Sequence, residues 1–270
     1  LWVSPYSFSS EKPDTVYAHF YNTLEKREYY TQIKEDKISE IKKMLGTPDI
    51  TDNQKYDINH RLYNEYKTFI ADSAIYCLRE NVKIAERMND RNRIMESQMA
   101  LSALYAMAGL YIGAIKGMEK VNKNELPDWL LPNYYSTNNQ LYNFYSSLSD
   151  IGDEEYNQKA ISYRDSLLGV IDPQSNYYKI VYAEKLADNN LLSEAKALLT
   201  NMLEQSEEEN HERAVLAYAL SNIYKKEGDV NQRKKYLAIS AACDIKNAIK
   251  ENASLQARAS LLYEEGEISK

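Results

Sequence analysis

The sequence predicts an all-α fold, a right-handed superhelix of stacked antiparallel helix pairs, and three observations predict it. Glycine and proline are scarce, at 8 and 6 of 270 residues. Turns draw on those two residues, so the connections are short and the helices long. Apolar residues recur at helical spacing along most of the chain. The helical stretches also repeat, with a small residue at matching places, as in a solenoid array. Composition agrees: hydrophobic residues make up 44% and charged residues 27%, which is globular rather than disordered. Tyrosine is the outlier, at 24 residues against 4 Phe and 2 Trp. Its ring packs while its hydroxyl reaches a wet edge, which suits thin helical layers.

Residues 1–12 read as a leader. Residue 1 is Leu, and Leu1-Trp2-Val3-Ser4-Pro5-Tyr6-Ser7-Phe8-Ser9-Ser10 is apolar, then small and polar. That is either the tail of a secretory signal, with small residues at Ser7 and Ser9, or an ordinary leader. Residues 13–270 read as a single helical-repeat domain. Its first part, 13–50, holds two capping helices, over 14–28 and 30–46, the second with Ile33, Ile38, Ile41 and Leu45 on one side.

Repeats follow. The clearest runs from Ala217 to Asp229, where Leu220, Tyr224 and Gly228 are followed by Leu237 in the next helix. The unit before it has Tyr182, Ala183 and Leu186, then Asn189-Asn190, then Ala195, Leu199 and Met202. Earlier units read Leu101, Ser102, Tyr105 and Gly109, then Ala114 and Met118; and Leu62 and Tyr66, then Ala74, Cys77 and Leu78. Between them, Leu141 and Tyr145 lead to Ala160 through a longer turn around Gly152-Asp153. The small-residue positions are therefore 74, 114, 160, 195 and 233. These are loose, degenerate tetratricopeptide-like (TPR) helix pairs, in which the small residue lets two helices approach and larger ones fill the space beside it. Arg233 departs from the pattern, and the pair must splay or let Arg233 snorkel outward. Ala259, Leu262 and Tyr263, then Gly266 to Lys270, read as a sixth first helix and its turn, so the last repeat is expected to be truncated at 270. The one proline-bounded break, Leu126 to Pro132, is expected to be a connecting loop with Trp129 packed or offered to a partner.

Chemistry is absent from the motifs. His19, His60 and His211 are isolated, each in a different helix, without the HExxH spacing of a metal site. No GxSxG, GxGxxG or phosphate-binding glycine loop occurs. Glu154-Glu155 and Glu207-Glu208-Glu209 lie at helix starts, where carboxylates complement the dipole. Cys77 and Cys243 lie among apolar neighbours and read as small hydrophobes, with a disulfide between them the alternative. No enzymatic activity, cofactor or metal is expected. The net charge of −7 and the lack of a dense Lys/Arg run exclude a duplex-binding surface, and no apolar stretch reaches the 18 residues of a membrane span. The partner-binding candidates lie on stacked first helices: Met99, Ala103 and Ala106, then Tyr177, Ile180 and Glu184, then Tyr218, Asn222 and Lys225. The tyrosine-rich run Tyr134, Tyr135, Tyr142 and Tyr145 is a second patch. The expected partner is a peptide or protein, or a small signal molecule.

Two stretches carry a family resemblance: Glu65 to Tyr76 leading into Asn81 to Glu86, and Asp244 to Gln256. The chain from residue 14 onward resembles the TPR-containing sensor region of Bacteroidetes membrane-anchored regulatory proteins. That resemblance implies a non-enzymatic sensor, tethered to the membrane in the full-length protein, on the periplasmic side of the inner membrane. A cytoplasmic interaction scaffold without signalling output is the alternative reading.

Overall fold

The computed structural model describes residues 13–146, 154–207, 209–250, 253–264 and 266. The leader over 1–12, the turn at Gly152-Asp153, Glu208 and the final residues 267–270 lie outside the described residues. Among the described residues every regular element is helical. Helices α1 (Pro13–Glu25) and α2 (Arg27–Met44) precede the repeats. Five pairs follow: α3 (Asp52–Tyr66) with α4 (Ala71–Arg87), α5 (Arg91–Met107) with α6 (Tyr111–Met118), α7 (Leu131–Ser146) with α8 (Glu154–Leu168), α9 (Asn176–Asp188) with α10 (Leu192–Gln205), and α11 (His211–Glu227) with α12 (Val230–Lys246). α13 (Ala253–Glu264) stands where a sixth first helix belongs. Each pair packs internally, and first helices pack on the next ones, α5 on α7 and α9 on α11. That is TPR stacking.

The small-residue register has a backbone cause. The amide of Ala74 donates to the carbonyl of Ile70 at 3.1 Å, Ala114 to Leu110 at 3.0 Å, Ala195 to Leu191 at 3.1 Å and Arg233 to Asp229 at 3.0 Å. Each is thus the fourth residue of a second helix, one turn past its N-cap. At that point Ala74, Ala114 and Ala195 are completely buried, and so is Ala160, the seventh residue of α8. Arg233 is only half-buried, the outcome snorkelling requires. Its repeat is fixed instead by better caps. Gly228 closes α11 in the left-handed conformation that glycine adopts without strain, and the Asp229 carboxylate accepts from the amide of Gln232 at 3.0 Å.

The chain forms two compact units, residues 1–34 with 174–270, and residues 35–173. In the first, α1 packs on α12 and places Val16 and Phe20 in a core with Leu199, Leu216, Leu220 and Ile239. α11 and α13 cover α12 on other sides, so α12 is buried along Lys235 to Ile245. The Arg258 guanidinium of α13 lies 4.9 Å from the Tyr17 ring and 5.1 Å from Phe20. In the second unit, Met95, Met99, Ala106, Leu130 and Leu141 form the core of α5, α6 and α7. A polar pin joins α3, α4 and α5 there. Asn81 donates to the Tyr56 carbonyl at 3.2 Å, and the Tyr56 hydroxyl meets Ser97 at 3.0 Å, with the Arg93 guanidinium 4.5 Å over its ring.

Two expectations shift. Ile38 and Ile41 are buried, but Ile33 is half exposed. The division between the units falls inside α2, after Lys34. The segment from Leu126 to Pro132 is not a plain loop. Residues Lys123–Glu125 and Asp128–Leu130 make 3-10 turns that seat Leu126 and Leu130 in the core and leave Trp129 59% exposed.

Candidate functional site

The second unit carries a continuous belt of tyrosines across α6, α7 and α8. Tyr134 and Tyr135 lie 5.6 Å apart, and Tyr163 of α8 lies 6.3 Å from Tyr134. Tyr142 stacks on Tyr163 at 5.6 Å with planes 4° apart, and on Tyr156 at 5.9 Å. Tyr145 meets Tyr156 edge-on at 4.5 Å and Tyr111 of α6 at 5.7 Å. Seven tyrosines are thus in series. The helical spacing of residues 135, 138 and 142 on α7, and of 156, 160 and 163 on α8, puts the rings on facing surfaces. Six of the seven are half-buried, and Tyr135 is buried. Lysines sit on the rings: Lys159 is 5.0 Å from the Tyr156 centroid and 5.7 Å from that of Tyr142, and Lys123 is 5.2 Å from that of Tyr135. Burial pushes the Tyr134 and Tyr163 hydroxyls above the usual phenol range, so both stay protonated and can donate at neutral pH. Each ring offers a face, an edge and a hydroxyl, which is the chemistry of ligand recognition and not of proton transfer near pH 7.

At the Tyr111 end the belt opens into a shallow cavity of about 640 Å³. Its wall is the α5–α6 turn, where Leu110 is 55% and Ile112 72% exposed. Gly109 (φ 75°) turns the chain in the left-handed region. Tyr105 and Tyr145 line it, and Arg79 of α4 reaches in from the side. The Arg79 guanidinium donates from Nε (3.1 Å) and Nη2 (2.7 Å) to the Tyr105 hydroxyl and lies 5.8 Å from the Tyr105 ring centroid.

The first unit has a more polar hollow of about 510 Å³ between α9, α10 and the start of α11. Asn176, Lys179, Asn201, Gln205 and Glu212 line it. Several of these groups are already engaged: Asn176 donates to Glu212 at 2.7 Å, and Asn210 caps α11 through the amide of Arg213 at 2.8 Å.

The sequence candidates divide between the units. Tyr177, Ile180 and Glu184 lie along α9, and Tyr218, Asn222 and Lys225 along the adjacent α11. Tyr177 is 45% exposed, and Glu184, Asn222 and Lys225 are exposed. Ile180 packs against the core. On α5, Met99 is 1% exposed and Ala106 as deeply buried, so both belong to the core and neither can meet a partner; Ala103 is half-buried. Tyr134, Tyr135, Tyr142 and Tyr145 come together as one patch, which also recruits Tyr111, Tyr156 and Tyr163 from other helices. The histidines stay apart: His19 Nε2 is 3.2 Å from Lys246 Nζ, His211 Nδ1 is 3.9 Å from Asp244, and His60 stacks near Tyr56. Among the described residues no cluster of three potential metal ligands forms, and no helix is long and apolar enough to cross a membrane. Cys77 and Cys243 are free and buried.

Known proteins give the fold a place. The family model described as the SusR N-terminal TPR domain matches residues 24–270. Among solved structures, a thermophilic TPR protein of Thermus thermophilus superposes with a TM-score of 0.53 at 14% identity, over 79% of this chain and 100% of that one. No curated protein sequence matches.

Proposed function

The chain belongs to the family of SusR N-terminal TPR domains, and from that membership we propose that it is the sensing part of a membrane-anchored regulator, binding its signal outside the cytoplasm. A TPR array is a protein-binding scaffold. The observation that supports signal binding is the tyrosine belt. Seven rings in contact, mostly half-buried and flanked by lysines, exceed what packing three helices requires. Tyrosine is a low-entropy contact residue, with two rotatable bonds and a polar tip, and is enriched where proteins bind other molecules. Signal binding on α7 and α8 would favour one arrangement of the array over another and pass that preference to whatever follows the chain.

Two measurements test this. Hydrogen exchange on the full-length protein, with and without a bound signal, is expected to protect the amides of α7 and α8. Protection confined to α9 and α11 would move the site to the other candidate face. For location, alkaline phosphatase fused after the chain in the full-length protein is expected to be active, and green fluorescent protein fused there to be dark. The reverse pattern would sink the extracytoplasmic reading and leave the cytoplasmic scaffold.

A further inference from the structure

We propose that the groove beside Arg79 binds an extended peptide segment in which a carboxylate side chain lies between apolar ones. The proposal rests on the ligand-binding reading above and names the chemistry of the ligand. Three features of the groove carry it.

The first is what lines it. Leu110 and Ile112 hold large aliphatic side chains in water, which folding alone does not favour. Tyr105, Tyr111 and Tyr145 complete an apolar wall with hydroxyl tips. The second is charge. Arg79 is the one ionisable cation lining the groove, and no carboxylate lines it. Among the described residues no Asp or Glu pairs with Arg79. The adjacent Glu80 is paired with Lys83 at 2.6 Å, so an exposed arginine beside an apolar groove whose lining holds no carboxylate is complementary to an incoming acid. The third is preorganisation. Two of the guanidinium donors are spent on the Tyr105 hydroxyl, and the guanidinium centre lies 5.8 Å from the Tyr105 ring centroid. That fixes the fork and leaves its remaining N–H groups for a carboxylate, the geometry in which arginine binds best. A cavity of about 640 Å³ is within the range of small-ligand pockets. It is shallow and walled on one side by a turn, however, which suits a segment lying across it more than an enclosed molecule.

The test is calorimetric titration of the whole chain with an acetylated, amidated pentapeptide in which phenylalanine, leucine and phenylalanine alternate with two glutamates. A second peptide has glutamine at both glutamate positions. The acidic peptide is expected to bind at least tenfold more tightly than its glutamine twin, and Arg79→Gln to erase that difference. Arg79 is exposed, so the variant should keep the wild-type circular dichroism spectrum and urea midpoint. Ile112→Ser should weaken both peptides alike. Equal binding of the two peptides, or discrimination that survives Arg79→Gln, overturns the proposal while leaving a ligand site on the belt intact. So does an absence of binding at 1 mM peptide, and so does displacement of the peptide by an equal concentration of phenylacetate, which would make the site one for small acids. Absence of α7 and α8 protection with every bound signal would instead count against the wider reading.

Discussion

Gly117 of α6 sits directly against α5, and adding one methyl there should unseat the wall of the groove. A Cβ built on Gly117 would lie 2.2 Å from the Ser102 hydroxyl oxygen and 2.8 Å from Gln98 Nε2. The amide of Gln98 ends a flexible chain and can swing away. The Ser102 hydroxyl cannot, because Ser102 is completely buried and donates to the Gln98 carbonyl at 2.8 Å. Ordinary contact begins near 3.4 Å, so α6 must retreat by about 1.2 Å. Overpacking of that kind costs about 1–3 kcal/mol. Replacing a helical glycine returns about 0.5–1 kcal/mol. Gly117→Ala should therefore destabilise by about 1–2 kcal/mol, which lowers a urea midpoint by roughly 0.5–1 M for a slope of about 2 kcal/mol per molar. Removing the obstructing oxygen should reverse this. In the Ser102→Ala, Gly117→Ala double variant the next fixed atom is the residue 102 Cβ at 3.4 Å, an ordinary contact. The double variant should match the wild type or exceed it, giving a favourable coupling of about 1–2 kcal/mol between two singly harmful changes. Trp129 lies in the same unit, and a Trp2→Phe background leaves it as the single tryptophan reporter. If Gly117→Ala unfolds with the wild type, or the two substitutions add within about 0.5 kcal/mol, the close approach of α5 and α6 is not as described.

Two further outcomes concern buried ionisable groups. Asp244 of α12 accepts from the Ser254 hydroxyl at 3.1 Å, and burial pushes its carboxyl up to about 6. The folded chain thus holds this proton more tightly than the unfolded one. Its contribution is most favourable below about pH 4, declines as pH rises toward 6, and is a constant penalty above that. Asp244→Asn should stabilise by up to about 3 kcal/mol at pH 7.5 and by nothing at pH 3.5; urea titrations at both pH values check it, and a pH-independent difference refutes it. Burial likewise pushes the Cys77 and Cys243 thiols up to about 11. Both should react with a disulfide reagent at least a hundredfold more slowly in the native chain than in 8 M urea, since the thiolate is the nucleophile. Rapid native labelling of either would place it at the surface.

What the chain discloses before folding follows from how local each signal is. The register of Ala74, Ala114 and Ala195 is legible because a small residue one turn into a helix is a sequence-local pattern, and the structure buries all three there; Ala160 is buried too, but as the seventh residue of α8. The belt is legible only by halves. Tyr134, Tyr135, Tyr142 and Tyr145 stand on one helix at spacings a reader can see. Tyr156 and Tyr163 join them only once α8 packs on α7, which no spacing along α7 discloses. Met99 misleads for the opposite reason. α5 buries Met95, Ser97, Met99, Leu101, Ser102, Leu104 and Ala106, so it has no continuous open face from which periodicity could pick an inward side. The groove is invisible on the same grounds. Leu110 and Ile112 read as core residues by type, yet both stand exposed beside the left-handed turn at Gly109, which their residue types do not disclose. Arg79 reads as one surface cation among many. It becomes specific only when Tyr105, 26 residues later, takes two of its hydrogen bonds. The repeat scaffold is thus written in local spacing, whereas the binding surface is assembled from residues that spacing alone places on different helices.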